Sequence, residues 1–451
     1  MRILHCSDIH LGRQPYQLDA RFDDYARMFL HLCERAAALE VDLFLIGGDL
    51  FDKRNINAAT LAQATDALTT LKDAQIPVVA VEGNHDKAFR HDRQYSWMQY
   101  LARAGYVRLL NREYEDGQLA LREWNPTTLR GAWVDIGETR VYGLGYPGVA
   151  TESVMREAAS LLPENPPRFT VLLLHAGVGS PETGSELGSV SWETLDAFAG
   201  RVHVVALGHW HRKIERRVGD PPIVVLMPGS PEICDIAEVS REHGFFLIET
   251  LSPGELPTVT FEPTPHRPHF RLRVDVNGCT TFDAVLERVG AADGWATLEA
   301  LVEPVVEVTL IGHLPFDPLD IRSEDVRDAV LARHACLHVE VVNNANLPVS
   351  VNAGGDFLSG RDVLERGVLR ELIAEGADYA PFAEMLVEYA SQWMVRALEA
   401  SDDVNEAAAE LIEQALDAMD TNVTATHSAP NRTESVAMRL PGFESLDDEP
   451  A

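Results

Sequence analysis

Seven side chains able to hold a metal ion are spaced through the first half of the chain in five short motifs: Asp8-Ile9-His10, Gly48-Asp49, Gly83-Asn84-His85-Asp86, His175 and Gly208-His209-Trp210-His211. Asp8, His10, Asp49, Asn84, His175, His209 and His211 offer oxygen and imidazole donors, a mixture that suits manganese, iron or zinc better than magnesium or calcium. One such motif says little, because a single His at a strand end is more often a hydrogen-bonded structural residue. Five in order, each behind an apolar run, point to one centre. Two metals about 3.5–4 Å apart can hold a bridging hydroxide and clamp the oxygens of a phosphate during in-line displacement. The chemistry expected is phosphoester hydrolysis, with Asp49 as the natural bridge between the metals. If Asn84 turns toward a metal, the adjacent His85 projects elsewhere and is the candidate to protonate the leaving oxygen. Its alternative role is to order the loop. Asp52 either orients His85 or caps the helix that follows, and Asp86 caps a helix or turns its loop.

The elements that must deliver these residues are legible from periodicity. Short apolar runs at Arg2–Cys6, Asp42–Ile46, Pro77–Val81, Phe169–Leu174 and Val202–Leu207 each end at one of the motifs and read as buried strands. Open α/β sheets place their chemistry at such carboxyl ends. Between the first three, Asp19–Leu39 carries Phe22, Tyr25, Met28, Phe29, Leu32 and Ala36 at helical spacing, and Ala58–Lys72 reads the same way. This alternation argues a largely parallel sheet covered by helices. Strands expected at Arg140–Leu144, Ile223–Met227, Gly244–Ile248 and Pro257–Phe261 complete a second sheet, giving an α/β chain built as a four-layered αββα sandwich.

A Pro-rich stretch, Glu262–Pro268, reads as a linker. Beyond it, strands at Phe270–Val276, Val305–Ile311 and Leu337–Val342, with helices from Thr281 and from Ser323 to His334, predict a compact α+β module. Ser323, with Glu324 and Asp325 behind it, reads as the second helix's start, and Asn343–Gly355 as a loop. From Arg361 the apolar spacing is helical, and from Asp420 the polar, acidic tail reads as disordered.

Composition bounds the function classes. The 451 residues are too many for one ordinary domain, and no stretch approaches the roughly 18–20 apolar residues of a membrane span. The first strand begins almost at the N-terminus, so a signal peptide is not expected. Five scattered cysteines without a C-x-x-C pair read as reduced and mostly buried, as in cytoplasm, and contribute nothing to the donor set. The net charge of −32 weighs against tight nucleic-acid binding by the chain alone. Local basic residues are the exceptions: Arg13 beside the first motif, Arg90 and Arg93 among aromatics after Asp86, and Arg212, Lys213, Arg216 and Arg217 past the last motif. Each is a candidate phosphate contact or an ordinary solvated cation.

The ordered motifs over the first 211 residues resemble the calcineurin-like metallophosphoesterase superfamily. Within it, Met1–Arg13, Gly48–Asp52 and Pro228-Gly229-Ser230-Pro231-Glu232 are similar to the SbcD-type DNA repair exonucleases. The resemblance implies one metal on Asp8, His10, Asp49 and His211, a second on Asp49, Asn84, His175 and His209, and His85 as the catalytic histidine. It also implies two manganese ions, with iron or zinc possible, and 3'-5' exonuclease activity on duplex ends with endonuclease activity on single strands or hairpins during double-strand break repair. A homodimer and an SMC-like coiled-coil ATPase of the SbcC type are the implied partners besides DNA. The expected division is a nuclease domain at 1–262, a capping domain controlling DNA access at 263–350, a helical ATPase-binding region at 351–420 and a tail at 421–451. The chain lacks a GxxxxGK[ST] loop, so ATP use falls to the partner. A phosphomonoesterase or cyclic-nucleotide phosphodiesterase with the same metal site would need neither the module nor the C-terminal helices. A non-catalytic scaffold would have no physical need for seven convergent ligands.

Overall fold

In the computed structural model, residues 1–87, 95–179, 188–250, 256–346 and 386–387 are described. Arg90, Arg93, most of the helical region expected at 351–420 and the tail at 421–451 lie outside them. Residues 1–349 form one compact unit.

Two six-stranded sheets stack face to face. In the first, Arg2–Cys6, Leu43–Ile46, Val78–Ala80 and Arg108–Leu109 run parallel, and Gly244–Glu249 followed by Thr258–Pro263 extend it antiparallel beyond Arg2–Cys6. In the second, Ile223–Met227, Val204–Gly208, Phe169–His175 and Thr139–Gly143 run parallel between antiparallel edge strands Ile214–Val218 and Trp133–Ile136. Side chains alternate faces along a strand, so each central strand feeds two apolar layers. Ile3, Leu43, Leu45 and Val79 meet Val171, Leu173, Val204 and Leu226 between the sheets. Leu4, Phe44 and Ile46 point the other way, onto the helices Asp19–Ala38 and Ala58–Asp73, which present Phe29, Leu32, Ala64 and Leu68. Leu172, Leu174 and Val205 face the helix Thr151–Leu161 through Met155 and Ala158. The resulting layers are those of an αββα sandwich.

The α+β module is a parallel three-stranded sheet, His269–Asp275, Val305–His313 and His338–Asn346. Helices Phe282–Gly290 and Ser323–Arg333 cover it, and Leu272, Val308, Leu310, Val285, Val326 and Val330 make its own core. Four expectations differ. Gly244–Glu249 and Thr258–Pro263 extend the first sheet rather than the second, because Gly244–Glu249 pairs with Arg2–Cys6, a nonlocal partner. Glu262 and Pro263 belong to the strand rather than to a linker, Pro263 pairing with Gly244 on the sheet edge, where a missing N–H is tolerated. Asn343–Asn346 continue a strand instead of starting a loop, because pairing with Leu310–His313 overrides the low strand preference of asparagine. Ser323 is the first helical residue and makes no side-chain cap, while Glu324 and Asp325 do occupy the first turn.

A buried ionic cluster joins the module to the sandwich. The fully buried Arg21 donates to Asp24 at 2.7 Å, to Glu232 at 2.9 Å and to the Ile233 carbonyl at 2.7 Å. Arg267, in the connection to the module, donates to both oxygens of Asp24 at 2.6 and 2.9 Å and to the Glu303 carbonyl at 3.0 Å. Removing one partner of such a cluster strands charge away from water and costs about 3–5 kcal/mol. Arg21→Ala is therefore expected to lower the unfolding free energy measured by urea denaturation by about that amount, with a lower midpoint; an unchanged midpoint would show that the cluster does not hold the junction.

Candidate metal centre

The loops after the first two strands run on together past the sheet. Asp8 N–H donates to the Gly48 carbonyl at 3.1 Å, Ile9 and His10 N–H both reach the Asp49 carbonyl at 2.9 and 3.1 Å, and Leu11 N–H reaches Leu50 at 2.8 Å. Asp8, His10, Asp49 and His209 all have positive φ, at 53, 53, 50 and 100°. A non-glycine residue held there costs on the order of 1–3 kcal/mol, and such strain gathers where side chains must be aimed. Close approach also demands glycine: a Cβ on Gly83 would overlap the Asp49 carboxylate, and one on Gly48 the His175 ring.

One group of donors is Asp8, Asp49 and His175, whose ligand atoms lie within 4.8 Å of one another. His175 Nδ1 sits 2.8 Å from the Gly47 carbonyl, which can only accept, so Nδ1 carries hydrogen and Nε2 faces inward. That Nε2 is 3.2 Å from Asp49 Oδ2 and 3.1 Å from Asn84 Oδ1. The His209 ring centroid is 5.1 Å from that of His175. Asp8 is fixed by the His209 N–H, 3.0 and 3.1 Å from its two oxygens, and by the Ser7 hydroxyl at 2.6 Å.

A second group is built on His10 and His211, whose Nε2 atoms face each other at 3.0 Å. His211 donates through Nδ1 to Glu238 at 2.8 Å, so its Nε2 points inward toward His10. Two ring nitrogens at this separation fit adjacent bonds of about 2.0–2.1 Å to one cation. His10 Nδ1 is 3.4 Å from Asp52 Oδ1. Asp49 belongs to the first group and His10 and His211 to the second, and together the two sets could accommodate two divalent cations.

Electrostatics agree with that fit. Burial alone would raise the Asp49 carboxyl, but His175, His85 and His10 outweigh it and hold the group well below the usual range. Burial would lower His175, yet chiefly the Asp49 carboxylate lifts it to about 9. Without a cation the pair is thus carboxylate and imidazolium, and a cation must displace that proton. Binding at this position is expected to release about one proton and to tighten as pH rises toward 9; calorimetry in buffers of different ionisation enthalpy would reveal a pH-independent affinity if the account is wrong. Glu238 is lowered to about 2, burial being overcome by His211.

Around the ligands, roles sort differently from the alternatives left open by sequence. His85 Nδ1 lies 2.7 Å from the Asp52 carbonyl oxygen, so Asp52 orients His85 through its backbone and leaves Nε2 as the atom that can exchange a proton. The Asp52 carboxylate serves Arg13, at 3.1 Å, and His10. It caps no helix: Asn57 caps the next one by accepting from the Thr60 N–H at 2.8 Å. Asp86 turns its loop inward, accepting N–H groups from Leu50, Phe51 and Gly83 at 3.3, 3.0 and 3.0 Å; burial and then Asp49 push it up to about 7. Arg13 also reaches the Cys234 carbonyl at 3.1 Å. Arg212 lies over the Trp210 ring at 4.2 Å, and Lys213 lies over Phe261 and 3.2 Å from Glu242. Sequence reasoning missed Glu238, Cys234 and Tyr146, whose ring is 5.3 Å from that of His209. None sits behind a strand-end motif; the only signal for the first two was their nearness to Pro228–Glu232.

The family model for calcineurin-like phosphoesterase matches residues 1–213. That is a little under half of the chain, and this part carries a calcineurin-like phosphoesterase domain. Among curated proteins, the chain is similar to three named DNA double-strand break repair protein Mre11. That of Aeropyrum pernix is 28% identical over 334 residues, 72% of this chain and 76% of its own length. That of Saccharolobus solfataricus is 31% identical over 54% of this chain and 58% of its own length, and that of Sulfolobus acidocaldarius 24% identical over 73% and 80%. The chain thus spans under two thirds of the Saccharolobus relative. The phosphoesterase domain is metal-dependent, and its donor sets accommodate two divalent cations. Glu238→Gln should weaken cation binding at the His10–His211 position by roughly 10–100-fold, as loss of a ligand's hydrogen-bond partner does elsewhere; equal affinity by calorimetry would refute the role.

Proposed function

We propose that the chain is a manganese-dependent DNA nuclease of double-strand break repair, a 3'-5' exonuclease on duplex ends and an endonuclease on single strands and hairpins. The observation that carries the reading is the presence of two neighbouring donor groups, one with Asp8, Asp49 and His175 and one with His10 and His211, beside a His85 held through the Asp52 carbonyl. Bound cations supply an activated water and neutralise charge on the phosphate. The chain's own residues do the rest: Asp49 and the histidines fix the cations, and His85, held through Nδ1, presents Nε2 to protonate the leaving oxygen.

A nucleic-acid substrate is supported by the length of the similarity. A match of 334 residues is longer than the 262-residue sandwich and therefore extends into the three-stranded module. We assign that module, 263–350, to capping and DNA access, 351–420 to docking an SMC-like coiled-coil ATPase of the SbcC type, and 421–451 to an acidic tail. A homodimer and a cytoplasmic location belong to the same reading; among the described residues no helix is long and apolar enough to cross a membrane. The net charge of −32 restricts backbone contact to local cations such as Arg13, Arg90, Arg93, Arg212 and Lys213.

Purified chain with manganese should release nucleotides from a linear duplex, and Asp49→Ala should abolish the release. His85→Ala should keep cation affinity while losing at least 100-fold in hydrolysis, the scale of general acid catalysis being about 10²–10⁴. Turnover of a small phosphomonoester without DNA degradation, in the presence of the ATPase, would replace the nuclease by a phosphatase.

A further inference from the structure

We propose that His10, His211 and Cys234 form a His-His-Cys site that takes thiophilic divalent cations, zinc foremost, at one end of the metal centre. The proposal rests on reading His10 and His211 as ligands and goes beyond it in adding a sulfur donor. The three ligand atoms lie within 4.8 Å of one another. Cys234 is 6% exposed; its Sγ lies 3.6 Å from the Glu232 carbonyl, and its side chain is hydrogen-bonded to His211. It is a free thiol.

What sets it apart from an ordinary core cysteine is how it is held. One carboxylate serves both sides of the site: Glu238 accepts His211 Nδ1–H on Oε1 at 2.8 Å and the Cys234 N–H on Oε2 at 3.0 Å. A second link closes the triangle, since Arg13 donates to the Cys234 carbonyl and to the Asp52 carboxylate, which lies 3.4 Å from His10. The backbone of Cys234 is thereby fixed against both imidazoles, whose Nε2 atoms already converge.

Tetrahedral zinc bonds nitrogen at about 2.0–2.1 Å and thiolate at about 2.3 Å, so binding would draw the three ligand atoms together from within their 4.8 Å spread. On binding, the thiol proton leaves to solvent and the sulfur lone pair forms the metal bond. Thiolate favours zinc, cobalt and cadmium over manganese, which prefers oxygen and imidazole. The same three residues therefore distinguish a soft cation from a hard one.

The test is titration of the full chain with cobalt(II), read by the thiolate-to-cobalt charge-transfer absorption in the near ultraviolet. The wild type is expected to saturate with one equivalent. The band is expected to vanish in Cys234→Ser and in His211→Ala, and to persist in Cys336→Ser, whose thiol lies in the separate module. X-ray absorption of the wild-type chain with one equivalent of zinc gives a readout free of any folding defect in a variant, a sulfur neighbour at about 2.3 Å being expected. Absence of sulfur there, or a cobalt band that survives in folded Cys234→Ser, overturns the proposal. Neither measurement contains DNA, so failure of the nuclease reading would leave the result standing.

Discussion

The buried carboxylate of Asp49 is the interaction on which the rest depends. It lies 3.2 Å from His175, accepts the His85 N–H at 3.0 Å, and its own carbonyl takes the N–H groups of Ile9 and His10. A buried negative charge needs nearby positive charge or hydrogen bonds, and here those come from three separate chain segments, around His10, His85 and His175. Protonated imidazole meets that need in the bare protein, and a divalent cation meets it better. The same electrostatic demand that folds the loops together therefore creates the affinity for metal.

Such an arrangement has to be imposed on the backbone. Asp8, His10, Asp49 and His209 stand in the left-handed region at the ends of buried, largely apolar strands. Rigid, close-packed layers on both faces of each sheet supply the stability against which this strain is held. The glycines interleaved with the ligands, Gly48 and Gly83, remove side chains where loops must nearly touch. Chemistry sits on loops, but loops pinned within a residue or two of a strand.

Farther out, a different device governs. Arg21, Asp24, Glu232 and Arg267 put opposite charges from the first helix, the Pro228–Glu232 stretch and the module's entry into one dry cluster. Glu232 is six residues before Glu238, so the segment that anchors the module also positions His211 and Cys234. Module placement and the second donor group are thus coupled by a short stretch of chain.

The sequence by itself determined the sandwich and marked seven candidate donors, because apolar runs of strand length and the short motifs that end them are local signals. The Asp42–Ile46 run ending in Gly47-Gly48-Asp49 needs no neighbour to be read. What only the tertiary structure decided depends on partners distant in the chain. Asp52 left two roles open because its carboxylate and its carbonyl face different residues, Arg13 and His85. Asn343–Asn346 looked like a loop because strand pairing with Leu310–His313 is nonlocal. Cys234, one cysteine among five without a motif, acquired a chemical setting only when folding brought it to His10, 224 positions earlier in the chain. Periodicity encodes which face a residue takes, and nothing in it encodes what waits on the other side.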